Sequence, residues 1–360
     1  MAPVIRALRS QPWADVRVLA TAQHREMMDS ALSVLAISPD IDLDIMTPNQ
    51  TLSVLTARLL PAVDDILRKE TPDVALVQGD TTTVLAAALA CFYQNIPIGH
   101  VEAGLRTQDL ANPFPEEMNR VVTSRLARFH FAPTETARAN LLREGVARDR
   151  VFVTGNTVID ALLEIARENI PIGVSLDGAK RLILATGHRR ENFGRPMAGV
   201  CRALRRIVEA NPDVELLYPV HPNPNVSDVV HRELGAVPRV HLCAPLGYGA
   251  FVSAMKRAHF IITDSGGVQE EAPALGKPVL VTRSETERPE AVQAGVVQIV
   301  GTDEEVIIEH AQRLLTDRGA YQSMAKGISP YGDGKASERI VRALFDWSHR
   351  EAQGVVAKDS

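Results

Sequence analysis

The chain has 360 residues, 45% of them apolar and 23% charged, with a formal net charge of −5; this is the make-up of a globular protein too long for one ordinary core. The mildly acidic balance excludes a basic nucleic-acid footprint and a polybasic membrane surface, and no apolar run approaches the ~18 residues of a membrane span. The three cysteines, Cys91, Cys201 and Cys243, are scattered, which argues against a structural metal or a disulfide framework and for a reducing, cytoplasmic setting.

In chain order, Pro3 to Arg9 reads as the end of a helix and Val16 to Ala20 as a strand. Ala22 to Ile37 carries helical periodicity, and Thr51 to Lys69 is a second helix. The chain thus opens inside a helix with no strand before it. A doubly wound sheet keeps its first strand near the middle, so the first domain is expected to lack a central strand, as in a truncated chain or one whose start lies upstream. Val74 to Thr107 then reads strand, carboxylate, helix, strand, carboxylate. A right-handed βαβ unit puts both strand ends on one edge, so Asp80 and Glu102 are expected together where open α/β sheets bind ligands. Asp80 before three threonines also suits a helix N-cap, and both readings stay open.

Next, Pro115-Glu116-Glu117 makes a strong helix start, with Arg120 one turn beyond Glu116 as a surface bridge or a site pair. Strands at Phe129 to Ala132 and Val151 to Thr154 flank a helix over Thr134 to Arg143, and Thr157 to Glu168 is a further helix. Ile170 to Gly178 reads as a linker. Strands and helices then alternate again, with strands at Arg181 to Ala185, Val214 to Val220, Val240 to Cys243, Phe260 to Thr263 and Pro278 to Val281. The pattern is α/β throughout. The expected domains are 1–168, 169–334, and a C-terminal helix with a tail over 335–360.

The sharpest chemical signal of the second half is Asp264-Ser265-Gly266-Gly267, where a buried strand meets a helix. Glycines let the backbone approach an anion, and free N–H groups at a helix start favour phosphate. Glu271 lies a turn inside, able to accept from ribose hydroxyls. No G-x-x-x-x-G-K-[ST] and no G-x-G-x-x-G occur. Gly187-His188-Arg189-Arg190 ends another strand and suits diphosphate binding, Arg288 offers a further cation, and His221 reads as structural. Carboxylates from one half and anion ligands from the other imply proton transfer at or beside a carbon bearing a diphosphate.

These stretches resemble the non-hydrolysing UDP-N-acetylglucosamine 2-epimerases of bacteria: TAQHREM (Thr21 to Met27), GDTTT (Gly79 to Thr83), GHVEAGLRT (Gly99 to Thr107), PEEMNR (Pro115 to Arg120), TGNTVIDAL (Thr154 to Leu162), TGHRREN (Thr186 to Asn192), DSGGVQEEAP (Asp264 to Pro273), TERPEA (Thr286 to Ala291) and PYGDG (Pro330 to Gly334). The resemblance implies two Rossmann-like domains facing across a cleft, as in glycosyltransferases of the B type, a C-terminal helix crossing back to the first domain, and a homodimer. It implies inversion at C2 through elimination of UDP to a 2-acetamidoglucal and re-addition, with no metal or other cofactor, for envelope polysaccharide synthesis. By motif, the acid–base carboxylates fall on Asp80, Glu102 and Glu116, with Arg120 and His188 beside them. The phosphate ligands fall on Ser265, Gly266 and Gly267, the ribose ligand on Glu271, a UDP-site arginine on Arg288, and a backbone contact to uracil on Phe251. Gln23, His24 and Arg58 resemble an allosteric site for a second UDP-N-acetylglucosamine. The family's opening strand and its G-T-R-P-E-A-I-K loop are absent, which implies little activity until about 15 residues, a strand and a loop, are restored upstream. A hydrolysing epimerase, a retaining glycosyltransferase and a non-catalytic nucleotide-sugar sensor are the rival readings.

Overall fold

The computed structural model of the chain describes residues 1–21, 35, 37–45, 47, 50–286 and 288–352. It divides into two units, one of Met1–Ala161 with Tyr331–Ser360 and the other of Leu162–Pro330. The first division falls inside a helix rather than in the 170–178 segment.

Unit 1 begins with α1 (Ala2–Arg9), followed by the short strands β1 (Leu19–Ala20) and β2 (Ile41–Asp42) and by α2 (Leu52–Glu70). The strand expected over 16–20 is therefore confined to its last two residues: Val18 gives its N–H to the Asp40 carboxylate instead of to a ladder. The helix expected over 22–37 lies almost wholly outside the described residues. After β3 (Ala75–Gln78), α3 (Thr82–Tyr93) and β4 (Ile98–Val101) come α4 (Glu116–Leu126), β5 (Phe129–Ala132), α5 (Glu135–Arg143), β6 (Val151–Val153) and α6 (Thr157–Ile165). The strands form two parallel sheets, β1-β2 and β3-β4-β5-β6. Strands β4 and β5 are buried along their whole length, as expected where helices cover both faces of a parallel sheet. The last helix, α14 (Ala336–Ala352), joins this unit. Its Ile340, Leu344 and Trp347 pack with Val4 and Leu8 of α1 over Phe129 and Phe131, Trp347 meeting Phe129 edge-on at 5.3 Å. Asp160 anchors its start by accepting from the N–H groups of Ala336 and Ser337.

Unit 2 runs β7 (Arg181–Thr186), α7 (Arg195–Ala210), β8 (Val214–Pro219), α8 (Pro224–Leu234), β9 (Val240–Cys243), α9 (Tyr248–Arg257), β10 (Phe260–Thr263), α10 (Gly266–Ala274), β11 (Val279–Val281), α11 (Pro289–Gln293), β12 (Val297–Ile299), α12 (Glu304–Thr316) and α13 (Arg318–Met324). Its parallel sheet has the order β12-β11-β10-β7-β8-β9. The chain starts at β7 in the middle and winds outward both ways, so the strand order reverses between β7 and β10. Such a reversal opens a crevice at the carboxyl ends of the two strands, where doubly wound sheets take ligands. Both sequence signals of this half, 187–190 and 264–267, stand at that point.

Candidate active site

In unit 1 the pairing of β3 with β4 sets Gln78 beside Val101, so the residues that follow, Gly79-Asp80 and Glu102, leave the sheet at one edge. Both turns are sharp: Gly79 has φ +81° and Glu102 φ +67°. The helix cap of α3 is Thr81, without a side-chain bond to the helix. Asp80 is therefore not the cap, and its carboxylate is engaged elsewhere. Arg120 Nη2 donates to Asp80 Oδ2 at 2.5 Å, and Nη1 donates to Glu117 Oε2 at 3.0 Å. The pairing expected between Arg120 and Glu116 is thus replaced by pairs with Asp80 and Glu117. Fully buried Glu117 is a structural acid: its other oxygen accepts the N–H groups of Thr107 and Gln108 at 2.9 and 3.0 Å. Glu116 stays half-buried at the first position of α4. Gln78 Nε2 reaches Glu102 Oε2 at 3.5 Å.

Two buried side chains that sequence reading left aside complete this edge. Asn119 Nδ2 donates to the Asp80 carbonyl at 2.7 Å, and His100 Nε2 lies 2.8 Å from the Gly79 carbonyl. The signal for His100 was a lone polar residue in the otherwise apolar strand Ile98–Val101. Burial holds its pKa down to about 4, against the helping bond to Gly79.

In unit 2 the organising group is Asp264, wholly buried at the end of β10. It accepts the N–H groups of His188 and Arg189 at 3.0 and 2.9 Å and the Asn192 amide at 3.2 Å. This ties the loop after β7 to the loop after β10. The His188 ring stacks on His221 with centroids 5.9 Å apart. Burial lowers the His188 pKa, with Asp264 pulling it up and Arg189 pushing it down. Ser265 caps α10 with no side-chain bond to the helix, so the first N–H groups remain for an anion. A Cβ on Gly266 would meet only Arg189 Nη2 at 3.7 Å, and one on Gly267 only Ser265 Oγ at 4.0 Å. Neither Cβ would clash, so internal packing does not demand glycine at either position.

Glu271, buried on α10, accepts from Tyr248 Oη at 2.7 Å. Burial pushes its pKa up to about 7, the Tyr248 bond pulls it down, and Glu270 adds to the rise. Arg288 pairs through Nε with Glu270, and its N–H is held by Thr286 Oγ1 at 3.1 Å. Phe251 lies in the first turn of α9 with its N–H bonded to the Gly247 carbonyl at 2.9 Å. In unit 1, Arg58 on α2 donates to Thr47 Oγ1 and Gln50 Oε1 at 3.0 and 3.4 Å; Gln23 and His24 lie outside the described residues. Among the described residues no group of three or more His, Cys, Asp or Glu is placed to hold a metal ion, and no helix is long and apolar enough to cross a membrane.

A doubly wound sheet with a helix starting at its switch point, and a parallel sheet whose neighbouring strands end in Asp80 and Glu102, fit the class of nucleotide-handling α/β enzymes with two Rossmann-like domains. Comparison narrows the class. Residues 6–345 match the family model described as UDP-N-acetylglucosamine 2-epimerase, and the chain belongs to that family. It is 53% identical over 357 residues to the UDP-N-acetylglucosamine 2-epimerase of Escherichia coli K12, covering 96% of this chain and 94% of that one. The Neisseria meningitidis UDP-GlcNAc 2-epimerase, solved bound to UDP-GlcNAc, is 45% identical with a TM-score of 0.84, covering 96% of each chain. The Methanocaldococcus jannaschii enzyme, solved with UDP-GlcNAc and UDP, is 35% identical with a TM-score of 0.76, covering 96% of this chain and 95% of that one.

Proposed function

We propose that the protein interconverts UDP-N-acetylglucosamine and UDP-N-acetylmannosamine by inverting C2, unit 2 holding the UDP and unit 1 moving the protons. The observation that carries this is the Asp80 carboxylate, gripped by Arg120 at the end of β3, with Glu102 following the neighbouring strand. Ser265, Gly266 and Gly267 receive the diphosphate, Glu271 the ribose hydroxyls, Phe251 the base, and Arg288 and His188 balance the anion. A carboxylate takes the C2 proton while the C1–O bond to UDP breaks, leaving a C1=C2 double bond. A second carboxylate then delivers a proton to the opposite face as the UDP oxygen rejoins C1, so no net water or redox equivalent is used. Asp80, Glu102 and Glu116 supply these groups, with Arg120 holding the Asp80 carboxylate in place through its Nη2. The complexes of the Neisseria and Methanocaldococcus relatives with UDP-GlcNAc support the choice of substrate.

The same reading makes the protein a cytoplasmic homodimer that supplies an envelope polysaccharide pathway, with Gln23, His24 and Arg58 contacting a second, activating UDP-N-acetylglucosamine. Product identity tests it. Proton and phosphorus NMR of the protein, assayed with and without an upstream extension of about 15 residues, should show UDP-N-acetylmannosamine growing from UDP-N-acetylglucosamine while total UDP-sugar stays constant. Free UDP and free N-acetylmannosamine accumulating together would move the assignment to a hydrolysing epimerase.

A further inference from the structure

Where a chain leaves a parallel sheet, its carbonyls lose their ladder partners and are ordinarily left to water or to the next helix. At the end of β3 they are not. The Gly79 carbonyl receives His100 Nε2 from β4 at 2.8 Å, and the next carbonyl, that of Asp80, receives Asn119 Nδ2 from α4 at 2.7 Å. Both donors are buried, His100 with 0% and Asn119 with 1% of its surface exposed. The Gly79 N–H is also fixed, to the Val101 carbonyl at 3.1 Å. Two consecutive peptide groups are thus pinned by two separate elements, and the Asp80 side chain by a third contact, Arg120.

The histidine carries a cost that the fold alone does not account for. A carbonyl only accepts, so the proton of the neutral ring sits on Nε2 and Nδ1 is left as an acceptor. That Nδ1 is buried and has no hydrogen-bond partner. Leaving such an atom unsatisfied costs its desolvation, and an apolar side chain would remove the penalty. His130, directly opposite on β5, also buries an unpartnered Nδ1, so it does not relieve His100.

We propose that His100 and Asn119 are positioning residues for Asp80, clamping the consecutive carbonyls of Gly79 and Asp80 so that the carboxylate stands at a fixed point. The inference rests on the proton-transfer role of Asp80 given above. Neither residue touches substrate; each acts through the backbone that carries the acid. Displacing a reacting group by about 1 Å costs up to about 100-fold in rate, which sets the size of effect to look for.

The test compares His100→Leu and Asn119→Leu, which fill the space without a donor, with His100→Gln, whose amide nitrogen reaches as far as Nε2. For the full-length protein, kcat and KM for UDP-N-acetylglucosamine, the Kd for UDP and Tm are measured for each variant. Both leucine variants should lose ~10–100-fold in kcat with KM and UDP affinity little changed, and His100→Gln should recover most of the rate. In parallel, hydrogen exchange over residues 77–84 should quicken in both leucine variants and slow again in His100→Gln. A His100→Leu protein with parental kcat, or a His100→Gln protein as slow as it, would overturn the clamp. Should the parent itself fail to turn over the sugar nucleotide, the proposed function falls, while unchanged exchange at 77–84 would still overturn the clamp and faster exchange would still uphold it.

Discussion

The two units hold their functional groups by different means. At the unit 1 edge one carboxylate is fixed by side chains: Arg120 on its oxygen, Asn119 on its carbonyl and His100 one residue earlier. At the unit 2 edge the proposed anion site is mainly backbone, the N–H groups at the start of α10 and a loop drawn in by buried Asp264. The contrast follows from the tasks. A proton carrier needs a group whose charge can change, and only side chains offer one; a diphosphate keeps its charge and is served by fixed dipoles that need no rotamer ordering. Substitutions at the first edge should therefore move kcat, and those at the second should move affinity.

The largest effect is expected from Asp80→Asn. Loss of a general acid–base group costs about 10²–10⁴-fold, so kcat should fall into that range while UDP affinity, measured by calorimetry, stays near the parent's. Arg120 keeps Glu117 as a partner, so the variant should fold. A matching loss of UDP affinity would erase the division of labour. Gly267→Ala tests the other side. Gly267 is exposed and a Cβ there meets only Ser265 Oγ at 4.0 Å, so Tm should change little, yet UDP binding should weaken by ~10-fold as the backbone approach is closed.

Asp264→Asn lies between the two. It weakens charge-assisted bonds to the N–H groups of His188 and Arg189, each worth about 1.5–3 kcal/mol, and should lower both Tm and UDP affinity. Full affinity in this variant would mean that the loop after β7 is not part of the anion site. The smallest effect concerns pH. Glu271 has its pKa raised to about 7, so it is neutral below that pH; as the proposed ribose ligand it would accept hydroxyls best above it, and UDP affinity should rise through neutrality. Tyr248→Phe removes the bond that pulls this pKa down, which should move the midpoint upward in calorimetric titrations across pH. The stability linkage runs the other way. A carboxyl whose folded pKa exceeds its unfolded value of 4.5 stabilises fully below 4.5 and loses that contribution as pH rises through about 7.

Much of this was legible in the residues. Apolar runs ending in Gly-Asp, Val-Glu and Asp-Ser-Gly-Gly gave strand ends, and parallel topology brought them to common edges. What was not legible is long-range pairing. Arg120 stands one turn from Glu116 in sequence, but the loop over 107–115 folds so that its guanidinium meets Asp80 and Glu117. Asp264 stood in the sequence only as the strand end before Ser265-Gly266-Gly267; it is the buried tie between two loops, a role that its N–H partners 75 and 76 residues away disclose. Short elements were also missed: β2, β12, α11 and α13 span two to seven residues each, too few for a period to declare itself.

The account turns on proton transfer at C2, and the solvent can report that directly. In heavy water with UDP-N-acetylglucosamine, the protein, assayed with and without an upstream extension of about 15 residues, should wash deuterium into C2 of both sugar nucleotides, and Asp80→Asn should slow the wash-in to the same extent as it slows epimer formation. Tight UDP-sugar binding with C2 still carrying its original proton would contradict the account and leave a protein that binds the nucleotide sugar without reacting it.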